Sequence, residues 1–298
     1  MRGLAEYIMR GSKQATLVVA LAAAIPLLFW ISAAALALVI LRRGLNDALS
    51  VLIWGVLPAL AWAVMGDPTP LLVIVGSAGL AVILRESGQW SKVMLLTVPL
   101  GVAYALLLLT VHNEQLMALA GQIREMLPQM LSGAQNGVDT AVLARLEALL
   151  VPILGGLLGA VHVLMVLVCL MLGRAWQARL YNPGGFREEF HALRLSPLVA
   201  GGLLLLTLLG PQWTQLALLS PVASVPLLIA GLALVHGVVG IKNLGTVWLV
   251  AFYVLFVFMA QFAYPLVMFL AFVDSLFDFR SRMRPDSGST GDDSNGHG

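Results

Sequence analysis

The sequence predicts an all-α fold, a polytopic integral membrane helix bundle with about 8–10 membrane segments. Three observations carry the prediction. Hydrophobic residues make up 60% of the 298-residue chain and charged residues 11%, against roughly 45–50% and about 25% in a soluble domain. Apolar runs bounded by charges or turn residues recur along nearly the whole length, each near the roughly 20 residues that cross a bilayer as a helix. Finally, fifteen of the seventeen Lys and Arg residues fall on one side of a membrane if the two longest runs fold as hairpins. Basic residues in short loops are biased to the cytoplasmic side, so that arrangement is the favoured one.

The chain opens on Arg2, Arg10 and Lys13, followed by an apolar stretch with small residues at Ala20 to Ala24. Many further spans follow, so the segment reads as an uncleaved first anchor rather than a signal peptide. The first uncharged run, Gln14–Leu41, has 28 residues and the last, Asn243–Val273, has 31, long for one pass and short for two. As single passes they give eight spans, and either orientation then strands basic segments outside. Split at Pro26–Phe29 and Gln261–Pro265, they become short hairpins within 14–41 and 243–278, and ten segments result. Both termini and every short basic loop then lie inside. Between the hairpins, spans are predicted at about 47–65, 69–84, 93–111, 149–173, 196–213 and 218–241. Turns fall at Asp67-Pro68-Thr69-Pro70 and Ser220-Pro221.

The insertion at 112–148 reads as two amphipathic helices on the outer, periplasmic side. Leu116, Leu119, Ile123, Leu127 and Met130 recur at steps of three and four, ending around Pro128. Ser132–Gly137 is a linker, and a second helix starts near Asp139 as N-cap, carrying Val142, Leu146 and Leu149 towards Pro152. Segment 174–195 is predicted as a cytoplasmic loop around the turn Asn182-Pro183-Gly184-Gly185, presenting Arg174, Arg179, Arg187 and Arg194. Residues 283–298 are a disordered cytoplasmic tail by composition, so 1–282 form one integral membrane domain. Trp30, Trp62, Trp90, Trp176 and Trp213 stand near span ends, as in an aromatic belt.

Several function classes are disfavoured. No basic face suited to nucleic acid is present. Cys169 is the only cysteine and sits mid-run, so it forms no intramolecular disulfide and reads as a small apolar helix residue. The chain has no His-Glu-x-x-His zinc motif, no phosphate-binding loop and no Gly-x-Ser-x-Gly elbow. Gly76-Ser77-Ala78-Gly79 has its Ser one position early for an intramembrane serine-protease motif. An enzyme, a cofactor and a metal are therefore not expected.

Ionisable groups inside spans are costly and mark function by default. His162 shares a helix face with Gly155 and Gly159, the arrangement that lets a neighbouring helix approach closely. Its imidazole is expected either to hydrogen-bond between helices or to hold a proton or substrate. His236 lies about a turn from the inner end of its span, with Gly231 before it and Gly240 at i+4. Asp274 and Asp278 are one turn apart and Arg282 one turn further, on one helix stripe. They read as a salt-bridge ladder fixing the last helix, and Asp278-Phe279-Arg280 marks the exit from the membrane. Pro26, Pro58, Pro99 and Pro226 kink or break spans.

The stretch Gly231-x-Ala233-x-x-His236 before a basic loop and the closing Asp274-x-x-x-Asp278-Phe279-Arg280 resemble the YybS-like family of predicted bacterial membrane proteins, a family of unknown function. The similarity runs over roughly 14–282 and includes the early basic turn Arg42-Arg43-Gly44. That family is distantly similar to the substrate-binding membrane subunits of energy-coupling-factor transporters. The resemblance implies a bacterial inner-membrane protein that binds a small molecule within the bilayer and relies on a partner membrane protein for energy. More spans than the usual six and an extra outer insertion depart from that subunit pattern. The expected function is thus a small-molecule transporter or its substrate-binding component, with His162, His236 and Asp274 along a polar path. The competing expectation is a non-transporting scaffold or assembly factor acting through Arg174, Arg179, Arg187 and Arg194. The lipid bilayer is the partner common to both.

Overall fold

Backbone polar groups away from water must be satisfied within their own segment, and a chain this apolar meets that demand with helices. The computed structural model describes residues 2–131 and 140–283, and no strand occurs among them. In chain order the helices are α1 (Arg2–Met9), α2 (Ser12–Ala24), α3 (Phe29–Arg43), α4 (Leu45–Val64), α5 (Thr69–Ser87), α6 (Trp90–Val111) and α7 (Asn113–Leu131). They continue as α8 (Thr140–Tyr181), α9 (Gly185–Ala192), α10 (Pro197–Leu209), α11 (Leu219–Ile241), α12 (Thr246–Phe258), α13 (Ala260–Phe277) and α14 (Phe279–Met283). Six of them, α4, α5, α6, α8, α11 and α13, are long and apolar enough to cross a membrane. The expected linker at 132–137, the Asp139 cap and the tail from 284 onward lie outside the described residues.

Turn chemistry sets several boundaries. Gly44, between α3 and α4, has φ 94°, and Gly88, ending α5, has φ 63°, a region that glycine enters without a Cβ penalty. At the start of α5 the Asp67 carboxylate accepts the Thr69 N–H at 3.0 Å, and Pro70 fits the first turn, where no N–H partner is needed.

Both long runs are broken, as the charge distribution predicts. The first breaks at Ile25–Leu28, and α2 folds back on α3, with the Ser32 hydroxyl donating to the Val19 carbonyl at 2.8 Å. The second breaks at Met259, earlier than the expected 261–265. Pro265 lies inside α13 and does not end it. Helix directions fix the path. Ser224, Gly231 and Gly237 of α11 meet Tyr264, Val267 and Arg280 in that order. So α11 and α13 run parallel, and α12 between them carries the chain back. Likewise Ala34 and Leu41 of α3 meet Gly173 and Gln177 of α8, so these two are parallel. Both described ends of the chain therefore lie at the same end of the bundle. Every described Lys and Arg except Arg124 and Arg145 is at that end as well.

Three expectations are corrected. The second amphipathic helix is not separate: it is the start of α8, whose 42 residues run through Pro152 over about 63 Å at 1.5 Å per residue. Losing one amide donor leaves the rest of the ladder on either side of Pro152 to hold the helix. The 174–195 segment is mostly helix, the end of α8 followed by α9, with α9 bent 68° from α10. Trp90 and Trp176 are buried in the bundle rather than set in an interfacial belt.

The core centres on α3. Ten consecutive residues, Ser32 to Leu41, are all buried, enclosed by α2, α4, α5 and α8. Four alanines among them let neighbours approach closely, and Gly173 of α8 lies against the Ala34 carbonyl. Cys169 is in this core, as expected. By contrast α12 has no buried residue, and Trp54 and Leu57 of α4 are more than half exposed, faces suited to lipid.

Candidate functional site

His162 is a packed interhelical group. Its Nδ1 lies 2.8 Å from the Leu158 carbonyl and its Nε2 3.3 Å from the Thr69 hydroxyl at the start of α5. The Tyr104 ring meets it edge-on at 6.4 Å, and that tyrosine donates to the Leu72 carbonyl at 2.6 Å. The glycines predicted to admit a neighbour do so. Gly159 lies against the Gly101 carbonyl and Ala105 of α6, Gly155 against Leu109, and Gly231 of α11 against the Val267 backbone of α13. His162 belongs to the end of the bundle opposite the chain termini. His236 and Asp274 are instead near the end that holds the termini, grouped around His191 and Arg280.

Asp274 is 2% exposed and pairs with Arg280, Oδ2 to Nη2 at 2.7 Å. Its Oδ1 accepts the Phe279 N–H at 3.1 Å. The same guanidinium donates to the carbonyls of His191 at 2.7 Å and Leu193 at 2.9 Å. One buried ion pair thus ties α13 and α14 to the connection between α9 and α10. The predicted i, i+4 ladder is replaced. The helix ends at Phe277 because Asp278 takes the left-handed conformation, φ 47°. That turn sends Asp278 to Arg194, whose Nη2 also donates to the Ser275 carbonyl at 3.3 Å. Arg282 instead lies over the Phe277 ring at 5.8 Å. The slight burial of Asp278 works against its ionisation, but the Ser281 N–H and Arg194 hold its carboxyl below the usual value.

Nearby, Arg174 pairs with Glu189, which also accepts the Trp90 indole N–H at 3.1 Å. Arg179 and Arg187 are exposed, and among the described residues neither has an ion-pair or hydrogen-bond partner.

These contacts enclose a recess of about 720 Å³ at the end of the bundle that holds the chain termini. Its walls are Arg187, Glu188 and His191 of α9, Arg194, Gly240 of α11, and Asp278 and Arg280. Gly240 makes the geometry possible: a Cβ there would lie 2.7 Å from the His191 ring. His191 is held below its ordinary 6.5 by partial burial, then by the charges of Arg187, His236 and Arg280. It is therefore a neutral donor–acceptor at neutral pH. His236 stands behind it at 6.3 Å between rings, fixed by a 2.9 Å hydrogen bond with Tyr253 and an edge contact with Phe190.

The electrostatics are specific. Asp274 and Asp278 neutralise Arg280 and Arg194, whereas Arg187 remains uncompensated, with Glu188 the one unpaired acid in the wall. Sequence reasoning placed Arg187, Arg194, Asp278 and Arg280 at this surface and missed His191, Glu188 and Gly240 as its walls. The spacing Arg187–His191–Arg194, steps of four and three, was the available signal. No group of acids, His and Cys suited to a metal occurs among the described residues. No protein-family model, curated protein or solved structure matches the chain.

Proposed function

We propose that the chain is a substrate-binding membrane component that captures a small polar solute bearing an anionic group in the recess at its basic end. The observation that supports this is the unpaired Arg187 facing a cavity whose other guanidiniums are already held by carboxylates. A guanidinium with free donors binds a carboxylate or phosphate bidentately. Glu188 and neutral His191 supply acceptor and donor positions for the rest of the solute. The positive-inside bias supports a bacterial inner membrane with both termini and the recess facing the cytoplasm. The motifs around His236 and Asp274 support kinship with the YybS-like family and an energising partner protein. No catalytic role is proposed for any residue.

The test is a thermal-shift and calorimetric screen of the detergent-solubilised protein against organic carboxylates and phosphate monoesters. A hit is expected to be lost in Arg187→Ala and in Gly240→Leu, which crowds His191. Binding that survives both substitutions refutes the site. The scaffold reading is supported by the exposure of Arg179 together with Arg187, because Arg174 and Arg194 are already consumed in internal pairs. Under it, Arg179→Ala with Arg187→Ala abolishes capture of a partner protein and leaves no solute response to lose.

A further inference from the structure

A second feature at the basic end is independent of the recess. Helices α2 and α4 run side by side, and Val19 fits into the space left by Gly55. Between them is an open groove of about 490 Å³. Its lining is sorted by depth. Ser12, Lys13 and Ser50 are at the end nearest the chain termini, and Leu17, Leu21 and Trp54 are further along the helices. From Lys13 to Leu21 the helix rises about 12 Å. Lys13 has no ion-pair or hydrogen-bond partner among the described residues, and neither Ser12 nor Ser50 has a side-chain hydrogen bond. Asp47, one turn before Ser50 on α4, forms no ion pair with Lys13.

We infer that this groove binds one anionic phospholipid, its phosphate at Lys13, Ser12 and Ser50 and an acyl chain along Leu17, Leu21 and Trp54. An ammonium with free donors at the depth of the headgroups attracts negative phosphate, and a Lys near an anionic leaflet contributes about 1 kcal/mol. The aliphatic and indole surfaces below it, about half exposed, match a lipid tail and lose little to ordering one. A second interhelical groove, between α5 and α6, carries Lys92 and Ser87 but also Glu86. That carboxylate lines the groove itself and opposes an anionic headgroup, whereas Asp47 does not line the α2–α4 groove, so charge complementarity favours the latter.

Native mass spectrometry of the full-length protein decides the matter, with phosphatidylglycerol and phosphatidylcholine of identical chains titrated separately and glycerol phosphate as a chainless control. One phosphatidylglycerol is expected to bind about fivefold more tightly than phosphatidylcholine. Lys13→Gln should erase the preference, Ala20→Phe should block the site by filling it, and Lys92→Gln should leave the preference intact. Lys13 is exposed, so its replacement leaves the folded bundle in place. Equal retention of the two lipids, a preference that survives Lys13→Gln, or glycerol phosphate binding as tightly as the lipid each overturns the assignment.

Discussion

Replacing Asp274 by Asn is the sharpest probe of how the basic end is built. The side chain keeps its shape, and its remaining oxygen can still accept the Phe279 N–H. What disappears is the charge opposite Arg280, a guanidinium 6% exposed and fixed by two backbone carbonyls. Removing one partner of a buried pair leaves an uncompensated charge, at about 3–5 kcal/mol. At roughly 2–4 °C per kcal/mol, the apparent melting temperature in detergent should fall on the order of 10 °C. The double variant Asp274→Asn with Arg280→Gln should recover part of that loss, because no buried charge is then left alone. An Asp274→Asn protein that melts with the wild type, or a double variant that loses the full sum of the two single effects, would refute the reasoning.

Further outcomes are expected elsewhere in the chain. Gly159→Leu drives a side chain into the Gly101 carbonyl and Ala105 and should lower the melting temperature by several degrees, whereas Gly79→Ala, with open space around it, should be neutral or stabilising by up to about 1 kcal/mol. His191 is depressed below 6.5 when folded, so the unfolded chain binds that proton first. Stability should drop as pH falls from 6.5 through the folded value, and His191→Asn should flatten that limb in pH-dependent melting curves. Solute binding should strengthen over the same fall, because a bound anion favours the imidazolium facing Arg187, Glu188, His236, Asp278 and Arg280. A periplasmic reporter fused after Gly44 should be silent and one fused after Gly66 active; the reverse pattern would place the basic end outside.

Much of the architecture is legible in the sequence because membrane constraints act on span length and charge placement. Length marks Gln14–Leu41 and Asn243–Val273 as awkward for single passes, and the placement of Lys and Arg along the whole chain divides them into hairpins. The second break falls at Met259 instead, and Pro265, the sixth residue of α13, removes one amide donor without ending the helix. The Gly155–Gly159 face transmits its meaning locally, since a bare helix surface invites a neighbour. The recess is different. Arg280 reaches His191 and Leu193 across 89 and 87 residues, and the turn at Asp278 redirects the carboxylate that a regular helix would have stacked on Arg282. Periodicity carries no information about either event. Trp90 illustrates the same limit: position suggests an interface, but a carboxylate on α9 draws its indole inward.

The enclosed position of α3 has a consequence for biogenesis. Its walls include α8, and the Leu41 carbonyl is bonded by Gln177, 136 residues later in the chain. At roughly 5–20 residues per second, synthesis runs on the order of ten seconds between the two. During that interval α3 has left the ribosome but lacks the helix that closes over it. Its alanine-rich face must be sheltered by lipid or by the insertion machinery, while Arg42 and Arg43 keep its end at the interface. A nascent chain that stops before residue 140 has no α8 to complete the core, so the bundle matures late, when Thr140–Tyr181 arrives.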